Sequence, residues 1–444
     1  MLKGVRKHIK TLEGKLKTWK DFGRKVKNME RLLEMFTDNS YWESTFVKLM
    51  EKTTVTPEEK AELSECYAID REDIIKDIIT GNYIWSIPRK VELRKSGTTK
   101  KRVVYIYSIK DRLVLGALYH IFSEYFKDLV SDSCYSYKKG CNTLKAVNVI
   151  RNENVGNKKY GVKVDIHAYF NNISDNRLYE MIDELFPTMC GLRLTLENLL
   201  CTNMCEFHGE IIDEYKGVIP GTPLASFFAN YCLRECDFYF DNKDCIYARY
   251  SDDIIVLEDT QEELDKDLEK IKGYLAKYGL ILNEKKYEYF LPGDVITFLG
   301  LKIESDGTID ISDHSKQKIK KQIHRWCRKG RIEIEMKHKQ FMPLATRINN
   351  RLNSKNFKCY IRNEGTFGWC HYAFRYINTD KSLKEIDLYT KDTLRAMKTG
   401  KHNKANYRAL SEEDFKQMNW VSLVQLFHLY KRDFDYYCEV IDLF

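Results

Sequence analysis

The sequence lacks the features that mark membrane, secreted and zinc-binding proteins. No apolar run approaches the roughly 20 residues that a membrane-spanning helix needs, and the charged first residues do not resemble a signal peptide. The 13 cysteines are scattered and form no C-x-x-C pair. Because no ligand set for zinc is visible, reduced thiols are predicted. These absences favour a cytoplasmic protein without a membrane partner.

Proline and linker sequence are also scarce. Only 7 prolines occur in 444 residues, and neither a low-complexity segment nor an internal repeat separates the parts of the chain. A hydrophobic content of 43% and an aromatic content of 13% indicate a folded chain throughout. This length is sufficient for two or three packed units.

Positive charge is concentrated in two stretches. The formal net charge is +8, from 73 Lys and Arg against 65 Asp and Glu. One stretch covers residues 3–27 and the other residues 316–331, where Ile319, Ile323 and Trp326 recur on one side of a predicted helix. Basic stretches commonly contact a polyanion, although a solvated helix face is the alternative. The candidates for nucleic-acid contact in the second stretch are Lys316, Lys320, Lys321, Arg325 and Arg328.

Hydrophobic periodicity divides the chain into helical and mixed parts. The pattern is helical to about residue 76, two strands joined by a polar turn are predicted within residues 85–107, and a helix begins at Asp111. Strands and helices alternate between residues 160 and 301, including one helix from Leu224 to Phe240, and a last strand pair ends this part. After Ser312 the pattern is almost wholly helical. We therefore expect an α+β fold with an all-helical C-terminal region.

Two adjacent aspartates stand at a predicted hairpin tip between apolar stretches. Asp252 and Asp253 follow Ser251, and such side chains are exposed at a tip while the strands hold them rigidly. Ser-Asp-Asp is also good turn chemistry. A separate apolar strand, however, ends in Asp165, and two magnesium ions about 4 Å apart need a carboxylate from a second strand. The backbone carbonyl of Ile166 could add a further ligand, and Mn²⁺ could replace Mg²⁺.

These segments resemble the ordered motif series of reverse transcriptases over roughly residues 85–305. The order and spacing of several motifs make a chance match improbable, whereas any single motif would be a weak signal. The matching segments, from the upstream finger motifs to the last palm motif, are Lys101-Arg102, Asp111-Arg112, residues 135–140, Asp165–Ile173, residues 217–230, Tyr250–Asp253, residues 279–286 and Phe298–Gly300.

The resemblance implies a right-hand polymerase with a ferredoxin-like antiparallel palm sheet. Residues 1–84 would form a basic helical extension, 85–160 the fingers, 161–305 the palm, and 306–444 the helical thumb and C-terminal region. Asp165, Asp252 and Asp253 would be the catalytic metal ligands. Carried over position by position, the nucleotide-binding residues would be Lys101 and Arg102 on the triphosphate, Phe170 against the sugar, Gly221 beside the base pair and Lys286 near the leaving pyrophosphate.

Two positions depart from the pattern of the family. Pro220 stands where many relatives have Gln before the glycine, which leaves the template-side contact of that Gln unassigned. Asn171 stands where intron-type relatives often carry an acidic residue. Neither departure affects the predicted metal ligands.

The C-terminal residues 400–407, 420–424 and 430–431 resemble the helical tail of bacterial defence-associated reverse transcriptases, and no His-Asn-His nuclease cluster is visible. This resemblance implies copying of a structured non-coding RNA into DNA from dNTPs, in defence against phage. Three alternatives stay open: template-independent or protein-primed synthesis, a retroelement or retron-type enzyme, and an RNA-bound scaffold without chemistry.

Overall fold

The computed structural model describes residues 30–94, 101–187, 189–214, 217–352, 373–401 and 406–432. The predicted basic stretch 3–27 and part of the tail segment 400–407 lie outside the described residues. Within them the chain is a mixture of helices and sheets, and the predicted α+β class is therefore confirmed.

The first described part is helical, as predicted. Residues 30–37 are helical, and three helices follow: α1 (Asn39–Met50), α2 (Pro57–Ala68) and α3 (Arg71–Thr80). Thr56 and Glu59 form a capping box at the start of α2, with Pro57 in its first turn. The helix α3 ends at Gly81, whose φ of 84° suits a glycine. Helices α1 and α2 pack against the apolar helix α4 (Ile109–Tyr125).

The first sheet contains the predicted hairpin. Its strands β1 (Arg89–Arg94) and β2 (Lys101–Ile106) pair antiparallel. Two later strands, β4 (Met204–Phe207) and β5 (Glu210–Asp213), extend the sheet to the order β2-β1-β4-β5. The sheet therefore joins segments about a hundred residues apart in the chain.

The central sheet has the order β6-β7-β3-β8, and every neighbouring pair is antiparallel. Its strands are β3 (Tyr160–Asp165), β6 (Ile246–Tyr250), β7 (Asp253–Glu258) and β8 (Glu288–Phe290). Alternate residues of β7 enter two different hydrophobic cores: Ile254 and Val256 one of them, Ile255 and Leu257 the other. Both faces of this sheet are therefore covered.

A third sheet of short strands leads into the C-terminal helices. The strands β9 (Ile296–Phe298), β10 (Leu301–Ile303) and β11 (Ile309–Ile311) pair antiparallel in the order β11-β10-β9. The remaining helices, from α5 to α17, are Thr143–Glu153, Tyr169–Asn172, Asp175–Leu185, Cys190–Leu200, Pro223–Cys232, Arg234–Asp241, Gln261–Lys277, Asp313–Lys337, Phe341–Leu352, Lys381–Thr399, Asn406–Ala409, Glu412–Gln417 and Leu423–Arg432. Short 3-10 turns occupy Lys127–Leu129 and Glu284–Lys286.

Two details of the predicted elements were wrong. The predicted helix from Leu224 to Phe240 is two helices, α9 (Pro223–Cys232) and α10 (Arg234–Asp241), which are separated at Leu233. The predicted last strand pair is a set of four short strands, β8 to β11. No described helix has both the length and the apolar character that a membrane crossing requires.

Candidate active site

Two of the three predicted carboxylates lie on adjacent strands of the central sheet, and the third, Asp252, lies in the turn between β6 and β7. Asp165 ends β3 and is paired in register with Asp253, the first residue of β7. The amide of Ile166 donates to the carbonyl oxygen of Asp252 at 3.0 Å. This bond continues the β3–β7 pairing into the turn, so the sheet itself fixes how Asp165 faces the aspartate pair.

The turn that carries Asp252 is held by a buried polar network. Ser251, the first of its two residues, has a φ of 62°, a conformation that tight hairpin turns require and that few non-glycine residues adopt. Its amide donates to Oγ of Ser136 at 2.8 Å, and its carbonyl oxygen accepts from Arg249 at 3.2 Å. Both polar backbone groups of Ser251 are therefore satisfied by buried side chains.

Arg249 owes its position to a fully buried ion pair. Arg249 and Asp237 are both 0% exposed, and the guanidinium bonds the carboxylate through Nε at 2.8 Å and Nη2 at 2.5 Å. The hydroxyl of Tyr247 donates to the same carboxylate at 2.7 Å. A pair of this kind is stable only with its hydrogen bonds complete, so Arg249 is held rigidly beneath the turn.

The electrostatics of the site favour a bound cation. Burial, together with the charges of Asp252 and Asp165, raises the pKa of Asp253 to about 6. Burial and the nearby Asp165 also raise the pKa of Asp252. Carboxyls that resist ionisation beside one another are those that a divalent cation stabilises, and their oxygen donors suit Mg²⁺. The residues present therefore fit the predicted metal.

Lys286 and Asn283 contact Asp165 from the segment before β8. Nζ of Lys286 lies 2.7 Å from Oδ2 of Asp165, and the side-chain amide of Asn283 lies 3.4 Å from Oδ1. The backbone amide of Asn283 also donates to the Asp165 carbonyl oxygen at 2.7 Å. The Lys286 side chain is 57% exposed, so its ammonium partly balances Asp165 while remaining free to move.

A cavity of about 850 Å³ opens beside the aspartate pair. Lys101, Arg102 and Phe170, which were predicted to contact the nucleotide, line it with Asp252 and Asp253. Lys101 is bonded to Glu92, and Arg102 is exposed on β2. The cavity therefore combines the carboxylates with cationic groups that suit a triphosphate.

The ring of Phe170 is supported by its neighbours. It makes an edge contact with Tyr169, with ring centroids 5.6 Å apart, and the buried Tyr169 hydroxyl donates to the Ala229 carbonyl oxygen. Gly217 has a φ of 58°, and a Cβ there would lie 2.3 Å from the Phe170 carbonyl oxygen. Only glycine therefore lets the segment before α9 pass so close to Phe170.

Gly221 and Pro220 border different spaces. Pro220 lines the carboxylate cavity, whereas Gly221 lines a separate cavity of about 720 Å³ beneath the N-terminal helices. Gly221 has a φ of 104°, and a Cβ there would lie 3.2 Å from Cβ of Val104. The Pro220 carbonyl oxygen accepts from the Tyr105 amide at 3.2 Å. Gly221 thus allows the backbone of its own segment to lie close to β2.

The basic helix α12 (Asp313–Lys337) divides its predicted nucleic-acid contacts between two faces. Lys316 is 9% exposed and pairs with Asp313 at 2.9 Å and Glu385 at 3.2 Å. Lys320 lies 3.6 Å from the same Glu385. Lys316 shares the buried side of α12 with Ile319 and Ile323, and both lysines face helix α14 (Lys381–Thr399). A contact with nucleic acid would therefore require these two lysines to leave Glu385. The other three, Lys321, Arg325 and Arg328, have no ion pair with a described residue.

A second acidic cluster lies at the other end of the same hairpin. Ligand atoms of Cys245, Glu258 and Asp267 lie within 4.8 Å of one another. Nζ of Lys243 is bonded to both carboxylates, at 2.6 Å from Asp267. The chain supplies its own cation here, so this cluster is not a second candidate for the metal.

Several residues of the site were not predicted from the sequence. Some of them act through contacts between distant segments, and no spacing in the sequence reveals those contacts. These residues are Gly217, Ser136 and the pair of Arg249 and Asp237. Lys163 could have been inferred, because it stands two residues before Asp165 on the same face of β3. It lines the carboxylate cavity and pairs with Glu288 at 2.6 Å.

Comparison with known proteins agrees with this geometry. Residues 93–303 match the family model described as "Reverse transcriptase (RNA-dependent DNA polymerase)". The Retron Ec86 reverse transcriptase of Escherichia coli is 23% identical over 180 residues, which are 39% of this chain and 51% of that protein. The match thus spans about half the length of this relative. Both comparisons support the predicted RNA-directed DNA polymerase.

Proposed function

We propose that this chain is an RNA-directed DNA polymerase that joins nucleotides at Asp165, Asp252 and Asp253. The observation that carries the proposal is the register of the central sheet, in which Asp165 is opposite Asp253 beside a cavity with cationic walls. The residues that match the family model, 93–303, include all three carboxylates, which supports the same reaction.

The proposed division of labour follows the order of the chain. Residues 85–160 would act as fingers, 161–305 as palm and 306–444 as thumb and C-terminal region, preceded by an extension of residues 1–84. The central antiparallel sheet within 161–305 and the helices after residue 312 support this division.

In the proposed reaction the carboxylates would hold two magnesium ions. Asp165, Asp252, Asp253 and the Ile166 carbonyl would be the ligands, and the bound ions would supply activation of the primer hydroxyl and stabilisation of the leaving pyrophosphate. Lys286 would leave Asp165 and hold a proton for the pyrophosphate. Arg102 and Lys101 would bind the triphosphate, with Gly221 keeping the backbone close to the strand that carries them.

Phe170 is the proposed selector of the sugar. Its ring lines the cavity together with the aspartate pair, and a bulky ring there would collide with a 2′-hydroxyl and favour deoxynucleotides. The product would then be DNA. Lys321, Arg325 and Arg328 on α12 would contact the phosphates of the duplex that leaves the site.

The template we propose is a structured non-coding RNA associated with the protein, and the proposed role is defence against phage. The likeness of the C-terminal tail to defence-associated reverse transcriptases supports both. A retron-type reverse transcriptase is the second candidate, because the retron enzyme of Escherichia coli is a detectable relative. Sequencing the nucleic acid that co-purifies with the protein, before and after addition of dNTPs, would identify the template and the product.

The reaction is tested by dNTP incorporation on the co-purified RNA and on an RNA template annealed to a DNA primer. We expect magnesium-dependent incorporation by the wild type and its loss in Asp252→Ala. Asp244→Ala, which removes an exposed aspartate from the segment just before β6, far from the turn, should retain activity. Equal behaviour of wild type and Asp252→Ala would sink the proposal and favour a scaffold. DNA that stays attached to the denatured protein until protease is added would indicate protein priming.

A further inference from the structure

We propose that Tyr137 is a second specificity-determining residue for the sugar, acting together with Phe170 to exclude ribonucleotides. The inference rests on the proposed polymerase function and deepens it. Tyr137 and Phe170 line the same cavity as Asp252 and Asp253. The ring centroids of the two residues are 6.4 Å apart, with an interplanar angle of 89°, which is an edge-to-face contact.

Tyr137 completes the support of Phe170. Tyr169 contacts the Phe170 ring at a centroid distance of 5.6 Å, and Tyr137 makes a further edge contact. A ring that selects against a hydroxyl must stay in place when that hydroxyl presses on it. With Tyr137 present, Phe170 has less freedom to rotate away from the position that a 2′-hydroxyl would occupy. Without it, the support from Tyr169 alone remains.

The backbone of Tyr137 is held in a left-handed conformation that a bulky aromatic residue rarely adopts. Its φ is 54°, which is unusual for a bulky aromatic residue. Its carbonyl oxygen accepts from the Tyr119 hydroxyl at 3.1 Å, and the preceding Ser136 accepts from the Ser251 amide at 2.8 Å. The surrounding structure thus imposes this conformation, and such imposed strain is concentrated at functional positions.

The Tyr137 side chain is not buried in either hydrophobic core. It is 42% exposed, and its hydroxyl has no hydrogen-bond partner among the residues that the structure describes. A large ring presented to a polar cavity, in a strained conformation and against the proposed sugar selector, is suited to contact a ligand. The adjoining carboxylates and Arg102 identify that ligand as a nucleotide.

The test is single-nucleotide incorporation with dNTP and rNTP on an RNA template annealed to a DNA primer. For Tyr137→Ala we expect the ratio of kcat/KM for dNTP to that for rNTP to fall by about threefold to tenfold, the range that an edge-to-face contact contributes. Tyr137→Phe should restore the ratio, because it keeps the ring.

A matched control and a double variant separate this role from a structural one. Tyr179→Ala removes a similarly exposed tyrosine, 41% accessible, from helix α7 (Asp175–Leu185) and should leave the ratio unchanged. If Tyr137 acts through Phe170, then Tyr137→Ala should have no further effect on the ratio in a Phe170→Ala background.

The outcomes distinguish a failure of this inference from a failure of the proposed polymerase function. A wild-type ratio in Tyr137→Ala, with a lowered ratio in Phe170→Ala, would overturn this inference alone. An equal loss of kcat/KM for both nucleotides in Tyr137→Ala would also overturn it, because that result indicates a structural role. Absence of dNTP incorporation by the wild type would contradict the proposed function and this inference together.

Discussion

At the scale of one residue, the buried carboxyl of Asp253 lowers the stability of the folded protein at neutral pH. Its pKa of about 6 lies above the ordinary value because of burial and the neighbouring Asp252 and Asp165. A carboxyl with a raised pKa in the folded state binds its proton more tightly there than in the unfolded state. The free energy of unfolding is therefore highest below the unfolded pKa and falls as pH rises through the window from about 4 to 6.

Replacing this carboxyl should stabilise the metal-free protein. We expect Asp253→Asn to raise the free energy of unfolding at pH 7.5 in EDTA by about 1–2 kcal/mol, after allowance for solvent screening. The gain should shrink as pH is lowered to 4, where the wild-type carboxyl is protonated. Urea unfolding at both pH values measures it, and a gain that is larger at pH 4 would contradict the electrostatic origin.

Gly217 gives a second prediction at this scale. A Cβ at this position would lie 2.3 Å from the Phe170 carbonyl oxygen, and the φ of 58° disfavours a side chain. Gly217→Ala should therefore cost about 1–3 kcal/mol of stability and lower dNTP incorporation by displacing Phe170. Thermal unfolding and the incorporation rate measure the two effects.

Gly273 is the matched control for this substitution. It lies within helix α11 (Gln261–Lys277), and a Cβ there would meet no atom within 4 Å. Gly273→Ala should raise stability by about 0.5–1 kcal/mol, since alanine is the better helix former, without loss of activity. Destabilisation by both substitutions to a similar extent would contradict the steric account of Gly217.

At the scale of elements, the hairpin of β6 and β7 depends on the ion pair beneath it. Arg249→Met would leave Asp237 buried at 0% exposure without its cation and should cost about 3–5 kcal/mol. Adding Asp237→Leu removes the uncompensated charge and should recover at least half of that loss. The hydrogen bond from Arg249 to the Ser251 carbonyl stays absent, so dNTP incorporation should remain low.

Urea unfolding and incorporation assays on the single and double variants test this separation of stability from activity. Full recovery of both in the double variant would mean that Arg249 does not position the turn. No recovery of stability would mean that the lost packing, and not the unpaired charge, accounts for the cost.

The sequence predicted the local part of this architecture well. The β1–β2 hairpin, the strand that ends in Asp165 and the turn at Ser251 follow from apolar alternation and turn residues, which are properties of short segments. The break at Leu233 was missed because α9 and α10 together carry one continuous helical pattern. Asp237, three residues into α10, meets Arg249 through a contact between elements that helical periodicity does not encode.

At the scale of the whole molecule, the carboxylates stand where two hydrophobic cores meet. The side chains of β7 alternate between a core shared with the N-terminal helices and a core shared with the C-terminal helices. The segments before and after the central sheet therefore both support the strands that carry the site. Such an arrangement suits a polymerase, because nucleic acid must contact surfaces from distant parts of the chain around one fixed centre.

The outer face of α12 provides the test at this scale. We expect the triple substitution of Lys321, Arg325 and Arg328 by Gln to weaken binding of an RNA–DNA duplex. It should also make the slope of the logarithm of the binding constant against the logarithm of the salt concentration shallower by up to about 3. The reason is that fewer counterions are released on binding when fewer phosphates are contacted. Fluorescence anisotropy at salt concentrations from about 50 to about 300 mM measures the slope.

The control removes the same number of positive charges from another surface. Lys266, Lys270 and Lys272 are exposed on α11, and their replacement by Gln should leave the slope near that of the wild type. Lys316→Gln should instead reduce stability, because this buried lysine pairs with Asp313 and Glu385. Equal slopes for the two triple variants would mean that net charge, and not the face of α12, governs the affinity for the duplex.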